Sequence, residues 1–507
     1  MRSSRRLTAQ SILLLLILVS SACARRTPPV VTAPSSISVH LDAVPTLRAE
    51  LDQLFTTPGQ DRTLWAILIQ SLETGETLYR LNSSKLMMPA SNMKIVTLSA
   101  AAERLGWDYR FDTSVMTSGR VDRDGVLHGD LVVRGTGDPS INGRSGSSTR
   151  VFEDWAEQLW QAGIRRIDGS IVGDDNAFDD EPLGAGWAWD YLGYGYAAPI
   201  GALQYNEDVV EVAIRAGAGA GDPVRLELRS ADSGLELVNR VVTAAEGSAV
   251  TVDLRRLPGT DRLEVAGSVP AGTPEFTETA SVDNPTEFFA RAFRSALIAR
   301  GIAVGGSAVD IDRLPDVPDL STARVLVSHQ SPSLSELATV LMKVSQNLYA
   351  DTLLKTLGRR DGVGTAEGGR KVVREVLGSW GISADDLVMY DGSGLSRYNY
   401  VTADTLVRIL RQMYSDPRHR EPFMATLPIA AQDGSLAGRL KGTAAEGNVR
   451  AKTGSISNVR SLTGFVRTAD GEMLAFSILA NHFNAPQSSI DALTDRAVER
   501  LANFTRK

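Results

Sequence analysis

Cysteine is all but missing. Cys23 is the only one in 507 residues, which excludes an internal disulfide framework and a cysteine-rich zinc site. Histidine is sparse too: positions 40, 128, 329, 419 and 482 are scattered, with no H-E-x-x-H string and no G-x-S-x-G elbow. Zinc-peptidase and serine–histidine chemistry therefore have no anchor. The run Gly217-Ala218-Gly219-Ala220-Gly221 lacks dinucleotide-binding spacing and a Walker lysine, so it reads as a flexible turn, and neither cofactor nor metal is expected. No basic tract stands out and the net charge is −7, which argues against a nucleic-acid partner. The acidic cluster Asp174, Asp175, Asp179, Asp180 and Glu181 reads as a solvated loop rather than a cation site. Lysine is the most telling scarcity: eight lysines stand against forty-five arginines.

The longest apolar run, residues 12–19, is too short to span a bilayer. Arg2, Arg5 and Arg6 precede it and small residues follow, the pattern of a signal peptide over residues 1–23. Two readings of its end stand. Ser20-Ser21-Ala22-Cys23 resembles a bacterial lipobox, with Ser20 where leucine is preferred, while Ala22-Cys23-Ala24 fits an A-x-A cleavage site. The position of the lone thiol at this junction favours lipidation. Either way the chain is exported to a periplasmic or extracytoplasmic location, touching the membrane only through an anchor at Cys23. Residues 24–44, with Pro28, Pro29 and Pro34, read as an extended tether.

Length alone implies two to four domains. Residues 63–70 and 76–82 flank Thr74-Gly75 as a β-hairpin. Pro89 opens a helix running to about Leu105, with Gly106 as its cap. Residues 449–455, 461–468 and 473–480 read as strands, the last two joined at Asp470-Gly471, and a helix follows over about 489–504. The expected fold is α+β: one antiparallel sheet built from both ends of the chain and flanked by helices. Residues 45–106 and 325–507 would form that unit. Residues 107–324 form a β-rich insertion, read as two domains, with strands at 131–133, 170–172, 209–214, 225–228 and 249–254. Helices are expected within it at 152–162 and 285–300. Ser333-Leu334-Ser335-Glu336 is a capping box that opens the next helical region.

Ser91-Asn92-Met93-Lys94 sets a hydroxyl and an amine at i and i+3, on one helix face. Lys452-Thr453-Gly454 places a second cation on a strand, and Ser345-Gln346-Asn347 lies between the two. Lysine can give up its proton where arginine cannot. An unperturbed lysine is neutral less than about 0.1% of the time at pH 7. A second ammonium at ~4 Å, at an effective dielectric constant near 20, raises the cost of the charge by roughly 4 kcal/mol, or three pKa units. Lys452 could supply that repulsion and leave Lys94 as the base for Ser91.

The order S-x-x-K, S-x-N, K-T-G is that of serine–lysine acyl enzymes, and here the first interval is more than twice the second. The spacing resembles the D-Ala-D-Ala carboxypeptidase/endopeptidase family, the low-molecular-mass class C penicillin-binding proteins. Pro89-Ala90 before Ser91, Gly137-Asp138-Pro139, Asp391-Gly392-Ser393-Gly394-Leu395-Ser396-Arg397, Leu427-Pro428 and Asp433-Gly434-Ser435-Leu436 are similar to that family's signatures. The stretch from Gly186-Trp187 to Asn206 also fits, and the resemblance runs from about residue 45 to the C-terminus. Gln346 stands at a position of variable kind, and Ser455 replaces a threonine carried by some relatives.

The resemblance implies a serine β-lactamase/DD-peptidase-like fold and a serine DD-peptidase that hydrolyses the D-Ala-D-Ala bond of peptidoglycan stem peptides, and D-Ala-mDAP cross-links, through an acyl-serine. β-Lactam antibiotics would inhibit it. It implies catalytic roles for Ser91, Lys94, Ser345, Asn347 and Lys452, and substrate binding by Thr453, Gly454 and Ser455. A serine β-lactamase is the alternative within the same chemistry, disfavoured because no E-x-x-L-N string lies between Ser345 and Lys452. A non-catalytic cell-wall-binding lipoprotein is the alternative outside it.

Overall fold

Five strands drawn from both ends of the chain organise the molecule. They are β1 (Leu64–Ser71), β2 (Thr77–Leu81), β3 (Arg450–Ile456), β4 (Val459–Arg467) and β5 (Met473–Asn481), in the order β2-β1-β5-β4-β3. Every neighbouring pair is antiparallel. The computed structural model describes residues 43–56 and 62–506; the leader, Cys23 and residues 24–42 of the tether lie outside the described residues. Ala43 and Val44, read as the end of the tether, open a helix instead because Val44 is buried against the body.

Side-chain alternation divides the sheet between two cores. On one face, Trp65, Ile67 and Ile69 of β1 with Phe476, Ile478 and Ala480 of β5 pack against helices α1 (Ala43–Phe55) and α5 (Gln487–Ala502). On the other, Ala66, Leu68, Ala475 and Leu479 meet helix α2 (Met93–Leu105) and its neighbours. With both faces covered, all nine residues of β5 are buried. This is why the strand is an almost unbroken apolar run rather than an alternating one.

Residues 93–102 of α2 are buried without exception. The helix lies between the sheet and a layer made of α3 (Leu334–Lys343), α4 (Asn347–Leu357), Ala366–Ser379 and Ala403–Ser415. A helix enclosed on every side carries no polar stripe, so the single charged residue in its first turn, Lys94, has no solvent to reach. The Ser333 capping box closes as the sequence suggests, with the Ser333 N–H donating to Glu336 Oε2 at 2.9 Å.

Between α2 and α3 the chain builds four further sheets. The largest runs Ala308–Asp310, Ile171–Asp174, Leu131–Gly135, Asp112–Thr117, Arg324–Gln330 and is mixed: its first three strands are parallel. Helices Arg150–Gln161 and Pro285–Arg300 precede Ile171–Asp174 and Ala308–Asp310. They meet through aromatic contacts such as Phe152 to Phe289 (4.9 Å) and Trp155 to Phe293 (5.5 Å). The expected strand at 249–254 is displaced to Asp253–Arg255. Several strands escape the sequence reading, among them Asp112–Thr117, Arg324–Gln330, Glu236–Ala244, Arg262–Pro270 and Phe276–Ser281. Glu236–Ala244 pairs in parallel with Arg262–Pro270 and is largely half-exposed, so its polar residues blur the period of two.

Candidate active site

Ser91 lies in a short 3₁₀ turn, Ala90–Asn92, with α2 beginning only at Met93. The expected single helix from Pro89 is thus broken at its start, because Ala90 has a φ of +46°, which α-helical backbone does not tolerate. The break places Ser91 at the mouth of the helix. Lys94, in the first α-turn, donates to Ser91 Oγ at 2.9 Å. Strand β4 pins the turn: the Ser461 hydroxyl donates to Pro89 O at 2.7 Å, and the Asn92 amide donates to Ser461 Oγ. Strand β3 passes just as close. A Cβ on Gly454 would lie 2.1 Å from Ser461 Oγ, 2.7 Å from Pro89 O and 3.0 Å from Ser91 N. Only glycine allows that approach.

Lys94 is 0% exposed. Besides Ser91, its Nζ donates to Asn347 Oδ1 at 2.6 Å and to Ser393 O at 2.8 Å. Burial lowers its pKa from the ordinary lysine value to about 7, against the opposing pull of the Asp351 and Asp391 carboxylates. Lys452, also 0% exposed, donates to Ser345 Oγ and to Thr453 O, each at 2.8 Å. Its pKa is pushed well below the usual lysine range by burial first and by the Lys94 charge second. The repulsion from Lys452 expected to free Lys94 is therefore not what lowers it: desolvation does, because the side chain lies wholly within the fold, and the repulsion registers on Lys452 instead.

Ser345 occupies the three-residue break between α3 and α4, with a φ of +65°. A serine in the left-handed region is strained, and the kink sends its hydroxyl to Lys452. Gln346 caps α4 by accepting from Leu348 N at 3.1 Å and donates to Glu207 Oε2 at 2.6 Å. Asn347 then opens α4. Its Nδ2 donates to Tyr196 O at 2.7 Å, which fixes the amide so that its oxygen faces Lys94. On β3, Thr453 donates to Ser435 Oγ at 2.7 Å, Gly454 is buried and Ser455 is exposed, accepting from Arg460.

All eight residues singled out in the sequence therefore meet at one place. Ser91, Ser345, Asn347 and Ser455 line a groove of about 360 Å³, with Tyr191, Tyr196, Leu395 and Ile456 on its walls. No histidine lines it among the described residues. The backbone partners Ser393 O and Tyr196 O were invisible to residue-type reasoning, although the strings around Asp391–Arg397 and Gly186–Asn206 flagged their loops. The acidic cluster disperses: Asp174 pairs with Arg134 and Asp179 with Lys355, each at 2.6 Å, while Asp175 accepts from Thr286.

Fold and groove define the class: an α+β serine-type hydrolase with lysine, not histidine, beside the serine. Comparison with known proteins supplies the family. The chain belongs to the D-Ala-D-Ala carboxypeptidase 3 (S13) family, whose sequence model matches residues 47–501. A D-alanyl-D-alanine carboxypeptidase of Actinomadura sp. (strain R39) is 37% identical over 470 residues, covering 90% of this chain and 85% of that protein. Penicillin binding protein 4 (dacB) from Haemophilus influenzae superposes with a TM-score of 0.79 at 25% identity, over 90% of this chain and 99% of that one. The same Haemophilus protein complexed with a β-lactam gives 0.72 at 26% identity, over 89% and 97% of the two chains.

Proposed function

We propose that this chain is a serine DD-peptidase acting on peptidoglycan stem peptides, with Ser91 as nucleophile and Lys94 as its base. The observation that carries the reading is the hydrogen-bonded set Ser91–Lys94–Asn347 beside the pair Ser345–Lys452, with Ser91, Asn347 and Ser345 lining one groove and the two lysines buried beneath it. Ser91 Oγ attacks the carbonyl between the two D-alanines as its proton passes to neutral Lys94. The oxyanion sits between the N–H groups of Ser91 and Ser455. Ser345 relays the proton to the departing D-alanine amine, with Lys452 beside it. Asn347 holds the acyl-chain amide and orients Lys94. Lys452, Thr453 and Ser455 receive the terminal carboxylate. Water then hydrolyses the ester between Ser91 and the acyl chain.

A β-lactam would acylate the same serine and leave slowly; the β-lactam complex of the Haemophilus relative supports this. The same chemistry extends to cross-linked peptides, where the leaving amine belongs to a neighbouring stem. Such a substrate lies outside the cytoplasm, and we place the protein there, anchored by lipid at Cys23. No helix among the described residues is long and apolar enough to cross a membrane. In this reading residues 45–106 and 325–507 are the peptidase unit and 107–324 an insertion of two domains.

Two experiments test the proposal. Fluorescent penicillin should label the purified chain covalently, and Ser91→Ala should abolish labelling while leaving the melting temperature within a few degrees; a labelled Ala variant sinks the assignment. Incubation with cross-linked and uncross-linked muropeptides, read by mass, should show loss of D-alanine from the second and separation of stems in the first. Intact cross-links would confine the enzyme to carboxypeptidase action.

A further inference from the structure

Two carboxyl groups lie buried behind Lys94, and they are held very differently. Asp391 accepts from Gly394 N (2.8 Å), Ser396 N (2.6 Å), Asn399 Nδ2 (2.6 Å) and Trp187 Nε1 (2.8 Å), so four donors compensate its charge. Asp351, on α4 one turn beyond Asn347, takes one backbone donor, Gly392 N at 2.6 Å on Oδ1, with the Ser393 hydroxyl as a second partner. Its Oδ2 is buried with no hydrogen-bond partner. The loop that Asp351 grips is the one that Lys94 grips, at the next residue: Gly392 N on one side, Ser393 O on the other. Both carboxyls line a second cavity of about 300 Å³, separate from the groove.

With Lys94 charged and both acids ionised, three charges would be enclosed together. Moving one proton from the amine to a carboxylate leaves a single buried charge, and burial favours that outcome strongly. The carboxyl with the unpartnered oxygen is the one placed to take the proton.

We propose that Asp351 is a positioning residue for the base, taking up the proton that Lys94 must shed, so that free amine and protonated carboxyl occur together. An N–H bond at Lys94 is replaced by an O–H bond at Asp351, and the two charges cancel. The inference rests on Lys94 being the base of the proposed reaction. Burial and the neighbouring Asp391 raise the Asp351 carboxyl to about 7, in accord with this role. The other charged groups about Asp351 are accounted for. Lys355, four residues on in α4, donates to the Asp179 carboxylate and to the Asp179 and Glu181 carbonyls. Glu181, Glu367 and Arg370 line the second cavity with it, and Lys452 is the group on which the Lys94 charge itself acts.

Asp351→Asn keeps the oxygen that accepts from Gly392 and removes the titrating group. The rate of acylation by a fluorescent penicillin, followed across pH, should rise with pH in the parent chain along a limb set by Lys94. The Asn amide stands in for the protonated carboxyl, so the Asn variant should keep that limb within about 0.3 pH unit, while infrared spectra on the plateau should show a protonated-carboxyl C=O band in the parent that the Asn variant lacks. The high-pH plateau should hold within about twofold. A midpoint that moves down by about one unit, or no such band in the parent, would mean that Asp351 stays ionised beside Lys94, and a lowered plateau would make it a mere prop for the loop; each overturns the proposal. Should the Asn chain not fold, Asp351→Ser removes the same charge, keeps an acceptor hydroxyl and carries the same expectation. Absence of acylation in the parent chain would instead overturn the serine–lysine reading itself.

Discussion

Lys94 and Lys452 show how little the identity of a residue says before its surroundings are known. Both are lysines at 0% exposure, yet Lys94 is hydrogen-bonded to the serine at the helix mouth and Lys452 to the serine in the helix break. Lowering Lys94 to about 7 by burial leaves the amine free above that pH and charged below it. Acylation should therefore climb with pH through about 7 and then level off, losing about tenfold per unit on the acid side; labelling rates from pH ~5 to ~9 would show it. Lys94→Arg should cost about 10²–10⁴-fold in the same assay, because the guanidinium keeps its proton. An active Arg variant would mean that another group is the base.

At the scale of elements, the groove depends on strand β3 and the Ser91 turn approaching within van der Waals distance. Gly454 is the contact point, and Asn92, Ser461 and Pro89 O form the hydrogen-bonded seam beside it. Gly454→Ala should drive strand and turn apart. A displacement of ~1 Å between reacting groups costs about 10²-fold in rate, and the overpacking costs about 1–3 kcal/mol of stability. Penicillin labelling should slow by that factor in a chain that still melts cooperatively; an unchanged rate would show that the seam has slack. The break at Ser345 is the second such device. Helices α3 and α4 could not run on as one, and the left-handed residue between them delivers two side chains, Ser345 and Asn347, to two different lysines.

At the scale of the whole molecule, the tether and the described body pose separate questions. If Cys23 carries lipid, Cys23→Ala should shift the full-length protein from the membrane to the soluble fraction with its penicillin labelling intact; an unchanged distribution would leave the A-x-A reading of that junction. Within the body, the sheet was legible because its strands are buried on both faces or paired across short turns such as Asp470-Gly471, so local pattern and final structure agree. The insertion was less legible: Glu236–Ala244 is a half-exposed strand in a parallel pair, and its partner is chosen by tertiary packing rather than by its own alternation. The motif residues could be named from the order of the three strings and their resemblance to a known family, in a chain where lysines are rare. What spacing could not supply was the medium around them. Desolvation of Lys94, the backbone acceptors Ser393 O and Tyr196 O, and the two unequal carboxyls behind them arise only when both chain ends and the 391–399 loop close on one point. Sequence determined which groups are present; tertiary structure decided which of them can hold a charge, because that depends on the water each has lost.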